Sequence, residues 1–151
     1  MRKAQKKQAE DFIKLLSQAH DEIKRYVENK DDQAAMELLG QCQEGAVGLG
    51  TLIEKTEGEG VRPVALLEDY CELVYQFYER LAGSQELHAG KLHKELRKAL
   101  IRVENSVRND IRVRYEIVFL PYKASMWDSM ESVWQAADAD PDCDAYVVPI
   151  P

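Results

Sequence analysis

The sequence has few cysteines, and they form no recognisable pattern. Cys42, Cys71 and Cys143 are an odd number, lie far apart and include no Cys-x-x-Cys pair. A disulfide framework and a zinc site both need paired or clustered cysteines, so the sequence argues against both. We therefore expect reduced thiols in a cytoplasmic protein, with no metal and no cofactor bound to this chain.

Long apolar runs and a basic excess are missing as well. The uninterrupted apolar runs fall far short of the about 20 residues that a membrane-spanning helix needs. No apolar segment follows Met1–Lys7, so we expect no secretory signal. The sequence contains 20 Lys and Arg but 27 Asp and Glu, which gives a net charge of −7. A chain with this charge repels phosphate groups, so the sequence argues against nucleic acid as a partner.

Apolar spacing over residues 1–110 predicts a helical bundle. The chain of 151 residues is 45% apolar and 31% charged, which is typical of a globular protein. Apolar residues recur every three or four positions in four segments, at about 3–29, 32–56, 63–82 and 85–110, which short polar or glycine-containing breaks separate. We predict an antiparallel four-helix bundle, with Asp31 or Asp32 capping the second helix and Pro63 in the first turn of the third.

The four segments give explicit core predictions. The predicted inward-facing residues are Phe12, Leu16, Ala19, Ile23 and Tyr26 in the first segment, and Ala35, Leu39, Cys42, Ala46, Leu49 and Ile53 in the second. In the third they are Leu67, Tyr70, Val74, Phe77 and Leu81, and in the fourth Leu92, Leu96, Ala99, Leu100, Val103 and Val107.

The pattern changes at Ile111. The apolar run 117–120, which Pro121 ends, predicts a strand buried on both faces. Ser125 or Asp128 can start the following helix, and residues 146–148 predict a second strand. The inward-facing residues predicted for this helix are Trp127, Met130, Val133, Trp134 and Ala137.

Residues 111–151 therefore predict one βαβ unit that looks like the start of a Rossmann-like lobe. The predicted fold class is mainly α, a four-helix bundle followed by this unit. Two strands and one helix cannot cover both faces of a sheet, so we expect a truncated domain that belongs to a longer protein. Alternatively, the bundle covers the exposed face or a second copy completes it.

The histidines and glycines offer weak candidates. His88 and His93 are five residues apart, about 140° around a helix, so they cannot share a metal as an i, i+4 pair would. We expect them, and His20, to be solvated. The four glycines of the second helix match no phosphate-binding motif, and we expect them to allow close approach of a neighbouring helix. They are Gly40, Gly45, Gly48 and Gly50.

Two groups of basic residues could meet an anionic surface. Lys91, Lys94, Lys98 and Arg102 share one face of the fourth helix, opposite its apolar stripe. We expect this face to be the solvated side of a bundle helix, and contact with anionic lipid or a nucleotide is the alternative. The same alternatives hold for the amino-terminal residues Arg2, Lys3, Lys6 and Lys7.

The loop after the first strand is the strongest candidate site. It lies where a strand leads into a helix, and helix N-termini bind anionic groups through free N–H groups and the helix dipole. Lys123 adds positive charge, while Ser125, Asp128 and Ser129 add hydrogen-bonding groups. We predict an anion-binding or acceptor-binding loop. The alternative is that Ser125 and Asp128 only cap the helix while Trp127 packs in the core.

Several stretches resemble a known family. Residues 115–134, which include the segment LPYKASMWDS, and residues 140–151 resemble bacterial proteins of the CDP-glycerol glycerophosphotransferase family. Residues 8–16 and 38–46 are similar to the helical leader of such proteins. The resemblance extends over the whole chain and is most specific in the LPYKASMWDS segment.

The resemblance implies an enzyme of the GT-B type, with two Rossmann-like lobes. Such enzymes transfer glycerol phosphate from CDP-glycerol to a cell-wall polymer or lipid-linked acceptor in teichoic-acid-type synthesis, at the cytoplasmic face of the membrane. Their second lobe carries the nucleotide site and the catalytic histidines. The resemblance therefore implies no catalytic residue in these 151 residues and no activity of this chain alone.

Two function classes stay open. One is a glycerophosphotransferase of which this chain is the amino-terminal region, with CDP-glycerol bound only by the full-length protein. The other is a non-catalytic helical module for interaction or oligomerisation. In either case we expect self-association, with residues 115–120 or 145–150 at the contact, because an incomplete sheet leaves an unpaired edge.

Overall fold

The computed structural model describes residues 1–119 and 124–147 of the chain. The described elements are α1 (Lys3–Glu28), α2 (Asp32–Glu57), α3 (Arg62–Ala82), α4 (Ala89–Asp110), β1 (Tyr115–Phe119), α5 (Ala124–Ala139) and β2 (Cys143–Val147). The protein is thus mainly helical, with a small two-stranded sheet. It divides into two compact units, residues 6–111 and residues 1–5 with the chain from 112 onward.

Helices α2 and α3 begin next to the residues that were predicted to mark their starts. The side chain of Asp31 caps α2 by accepting a 3.3 Å hydrogen bond from the backbone N–H of Ala34. Pro63 lies in the first turn of α3, where its missing N–H has no consequence. Both predictions are confirmed. Helix α4 begins at Ala89 instead of near residue 85, and the Nδ1 of His88 caps it by accepting from the N–H of Lys91 at 3.1 Å.

The core of residues 6–111 follows the predicted stripes in three helices. All residues predicted to face inward in α2 and α3 are buried, and in α4 only Ala99 is half-buried instead. Burying such a stripe stabilises each helix far more than its intrinsic propensity does. The apolar periodicity alone was sufficient to predict the buried faces of these helices.

Helix α1 turns a slightly different face inward. Leu16 and Ile23 are buried as predicted, whereas Phe12, Ala19 and Tyr26 are only half-buried. The buried residues of α1 are Ala9, Ile13, Leu16, His20, Ile23 and Val27. The apolar residues of α1 form two neighbouring stripes. The predicted stripe contains the aromatic residues Phe12 and Tyr26, whereas the buried stripe contains His20.

Lys6 stabilises the end of α4. Its Nζ donates hydrogen bonds to the backbone carbonyl oxygens of Arg108, at 3.1 Å, and Ile111, at 2.7 Å. The last carbonyls of a helix have no partner within the helix, and the negative end of the helix dipole lies there, so a cation is favourable at this place. Lys6 therefore has a structural role, and contact with a membrane is not needed to explain it.

The glycines of α2 do not mark close helix packing. A Cβ atom added at Gly40 or Gly48 would meet nothing within 4 Å, and one at Gly45 or Gly50 would make ordinary contacts of 3.5 and 3.9 Å with leucine side chains. The predicted close approach of another helix is therefore wrong. In the described part of the chain, no neighbouring backbone comes near enough to any of the four glycines to require the absence of a side chain.

The strands β1 and β2 are parallel and pair from Tyr115 with Cys143 to Phe119 with Val147. Helix α5 lies between them in the sequence and contacts both. The strand β2 begins at Cys143, three residues before the predicted start. Charged pairs, Arg2 with Glu116 and Arg114 with Asp144, lie near the amino ends of the strands.

Burial of β1 on both faces is wrong for the described residues. Val118 is 51% exposed, and its register partner Tyr146 on β2 is 49% exposed. Paired residues on adjacent strands share a face, so these two side chains form one exposed apolar patch. In α5, Ala137 is buried and Met130 and Trp134 are half-buried, but Val133 is exposed instead of facing inward.

Candidate functional site

The predicted acceptor loop is described only in part. Lys123 lies outside the described residues, and of Ser125, Asp128 and Ser129 only the backbone is described. Helix α5 begins at Ala124, so these three residues lie within the helix. An N-cap precedes the first helical residue, so Asp128, four residues into α5, lies too far along the helix to cap it, and capping by Ser125 stays a prediction. Anion or acceptor binding at this loop stays a prediction.

The three histidines lie in different environments. His88 is exposed and caps α4, and His93 forms a 2.7 Å hydrogen bond with the carboxylate of Asp21 on α1. This bond, more than any other cause, lowers the pKa of the exposed Asp21. His20, by contrast, is only 1% exposed, so the prediction that all three are solvated is wrong.

His20 belongs to a buried polar cluster. Its Nε2 lies 2.5 Å from the hydroxyl oxygen of Tyr70 on α3, and the two rings are 5.6 Å apart between centroids. The thiol of Cys42 on α2 interacts with the same Tyr70 side chain. Side chains of α1, α2 and α3 thus meet at Tyr70, and all three are almost completely buried.

Burial keeps every member of this cluster uncharged near neutral pH. It lowers the pKa of His20 to about 4, and the positive charge of nearby His93 acts in the same direction. Burial also raises the pKa of Cys42 to about 11 and raises the pKa of Tyr70. Removing a group from water disfavours its charged form, which explains all three directions.

The cluster stabilises the fold and is not a catalytic site. A catalytic base or nucleophile must reach its substrate, and these three side chains are sealed from solvent. Cys42 as a neutral thiol is also a poor nucleophile. The sequence contained a signal for the burial of His20, because it lies four residues after Leu16 and three before Ile23, which are both buried.

A groove lies on the surface that α2 and α3 form together. One part has a volume of about 380 Å³, and its charged lining residues are Glu54, Glu68 and Glu72. A second hollow of about 460 Å³ shares Gln43 and Val47 with it and adds Glu44 and Tyr78. We call both parts together the acidic groove, since every charged residue described in their lining is a glutamate.

Apolar side chains are also exposed in the acidic groove. Val47 is 59% exposed and Tyr75 is 48% exposed, and Gly50 contributes no side chain at its own position in the lining. Exposed apolar side chains flanked by charge are typical of a surface that contacts another molecule. Apolar spacing within one helix does not reveal this groove, because the groove arises only where two helices lie side by side.

The basic residues of α4 are exposed, as expected for the solvated side of a helix. We call them the basic stripe, which consists of Lys91, Lys94, Lys98 and Arg102. Ile101 lies beside the stripe and is 42% exposed. The stripe therefore combines positive charge with one apolar side chain.

Residues 1–119 and 124–147 contain no group of three or more His, Cys, Asp or Glu that could hold a metal ion. Within these ranges no helix is both long and apolar enough to span a membrane. Comparison with models of protein families, with curated protein sequences and with solved structures found no match.

Proposed function

We propose that these residues form the amino-terminal, non-catalytic region of a CDP-glycerol glycerophosphotransferase. In this proposal residues 1–110 are an antiparallel helical leader, and residues 111–151 begin the Rossmann-like lobe on the acceptor side. The resemblance of residues 115–134 and 140–151 to that family supports the assignment. The observation that carries it is the parallel pair of strands, with a helix between them, within this resembling segment.

The exposed side chains of the sheet support the same proposal. Val118 and Tyr146 lie on one face, and each is about half exposed. An isolated two-stranded sheet is at best marginally stable, so such a face needs cover from further structure. In a larger Rossmann-like lobe, additional strands and helices of the same enzyme supply that cover.

Catalysis then depends on residues of the other lobe. The buried His20 cannot serve as a base, and His88 and His93 are engaged as a helix cap and in a pair with Asp21. The loop with Lys123, Ser125, Asp128 and Ser129 lies on the acceptor side, and only the full-length protein binds CDP-glycerol. The enzyme works at the cytoplasmic face of the membrane, where peripheral contact with lipid accompanies its function.

Labelled CDP-glycerol tests the proposal directly. We expect the 151-residue chain to show no transfer to a lipid-linked acceptor and no heat of binding with millimolar CDP-glycerol. The product of the natural gene, read past the codon for Pro151, should transfer glycerol phosphate under the same conditions. Transfer by the short chain, or a stop codon after Pro151, would contradict the assignment.

A second candidate function is a non-catalytic helical interaction module. The acidic groove favours it, because Val47 and Tyr75 are exposed there between carboxylates. The net charge of −7 favours a protein partner over nucleic acid. Self-association through residues 115–120 or 145–150 stays a prediction in both cases.

A further inference from the structure

We propose that copies of this chain associate through their helical units, with the basic stripe of one copy bound in the acidic groove of the next. The proposal does not depend on the glycerophosphotransferase assignment. It concerns α2, α3 and α4 alone, and it names a second copy as the occupant of the groove.

The acidic groove and the basic stripe carry opposite charges. The groove presents Glu44, Glu54, Glu68 and Glu72, and the stripe presents three lysines and Arg102. Within the described part of the chain, none of these eight side chains takes part in an ion pair of its own copy. The charged groups of both surfaces are therefore available to a partner of opposite sign.

The two surfaces also agree in length. Lys91 and Arg102 are 11 residues apart, which is about 16 Å along an α-helix. Glu44 and Glu54 are 10 residues apart along α2, about 15 Å by the same rise. A helix lying along the groove could therefore place its basic side chains beside the groove's carboxylates over the whole length.

Apolar contact adds binding free energy that surface ion pairs alone do not provide. Ile101 lies next to the stripe, and Val47 and Tyr75 are exposed in the groove. Surface ion pairs contribute little by themselves, whereas exclusion of water from apolar side chains between them strengthens an interface. Gly50 leaves room on the α2 side, since a Cβ atom there would meet only Leu67, at 3.9 Å.

The proposed contact joins two different surfaces, so it is heterologous. Each copy that uses its stripe keeps a free groove, and the reverse also holds. Association should therefore continue beyond a dimer as concentration rises, unless the geometry closes a ring. It should also weaken with salt, because the screening length falls from about 10 Å at 0.1 M to about 3 Å at 1 M ionic strength.

Charge reversal on each surface tests the proposal. Glu68→Lys with Glu72→Lys changes the groove, and Lys94→Glu with Lys98→Glu changes the stripe. All four side chains are exposed, so both variants should keep the wild-type circular dichroism and melting temperature. Sedimentation velocity at low salt should show association of the wild type and at least a tenfold weaker association constant for each variant alone.

Mixing the two variants is the decisive measurement. The unchanged stripe of one then meets the unchanged groove of the other, and the two reversed surfaces also match, so association should return. A mixture that stays monomeric, or a wild type that is monomeric at high micromolar concentration, would overturn the proposal. A matched control, Glu10→Lys with Lys14→Glu on α1, should associate as the wild type does.

Two further outcomes would show that the copies associate through another surface or that the basic stripe binds another partner. If the groove and stripe variants associate normally while Val118→Lys does not, the contact lies at the sheet and the proposal is wrong. If the wild type is monomeric but binds vesicles rich in phosphatidylglycerol, and the stripe variant does not, the stripe serves a membrane instead.

Discussion

His20 shows how a polar residue can belong to a helical core. Burying an imidazole without a hydrogen bond is unfavourable, but the hydroxyl of Tyr70 lies 2.5 Å from its Nε2. The cost that remains is the loss of the charged form, since burial lowers the pKa of His20 to about 4. Folding therefore competes with protonation of this one ring.

Stability should consequently fall as pH falls from about 6.5 to about 4. The unfolded chain protonates His20 near its usual pKa of 6.5, while the folded chain resists protonation until about pH 4. The stabilisation is complete above pH 6.5, and below it up to about 3 kcal/mol is lost. Urea unfolding at a series of pH values measures this loss.

His20→Gln identifies the group responsible. Glutamine can still form a hydrogen bond with Tyr70 but does not titrate, so the decline between pH 6.5 and 4 should become shallower. His88→Asn is the matched control, because it removes an exposed histidine and keeps a residue that can cap α4. An unchanged decline in His20→Gln would show that other groups cause it.

Among the helices, α2 is the one whose sequence opposes helix formation most. It contains Gly40, Gly45, Gly48 and Gly50, and a glycine inside a helix costs about 1 kcal/mol relative to alanine. None of these positions is sterically crowded. The helix persists because its six inward-facing residues are all buried, which outweighs poor local propensity.

Gly48→Ala should therefore stabilise the protein by about 0.5–1 kcal/mol. Gly48 is exposed, and a methyl group there would meet nothing within 4 Å. Gly58→Ala is the informative comparison, because Gly58 follows α2 with a φ of 88° that L-residues rarely adopt. It should cost about 1–2 kcal/mol, and a destabilised Gly48→Ala in chemical denaturation would contradict the explanation.

For the whole molecule, the proposed function assigns acceptor binding to the loop before α5. If Lys123 binds the acceptor in the full-length enzyme, Lys123→Ala should lower kcat/KM about tenfold or more, which corresponds to roughly 1.4 kcal/mol of lost transition-state stabilisation. The melting temperature should stay unchanged. Lys14→Ala, which removes an exposed charge on α1, should alter neither quantity.

Normal kinetics in a normally folded Lys123→Ala enzyme would remove the loop from the proposed site. The same result would leave the alternative that this segment only connects β1 to α5. Ser125→Ala and Asp128→Ala are less direct tests, because both residues lie within α5 and a substitution there can change helix stability as well as binding.

The sequence by itself determined the four amphipathic helices and most of their buried faces. Apolar spacing is a local property, and in α2 and α3 it leaves one face to bury, so every predicted core residue is buried there. Asp31 and Pro63 acted as helix-start signals for the same reason, because a cap or a first-turn proline involves only neighbouring backbone groups.

Only the tertiary structure decided which of two adjacent faces α1 buries. It also decided which side chain forms a hydrogen bond with the buried His20. That choice depends on Tyr70, which is 50 residues further along the chain. The acidic groove and the open face of the sheet likewise require two elements side by side. Periodicity shows which face of a helix avoids water, but the neighbour that covers that face is fixed only when the chain packs.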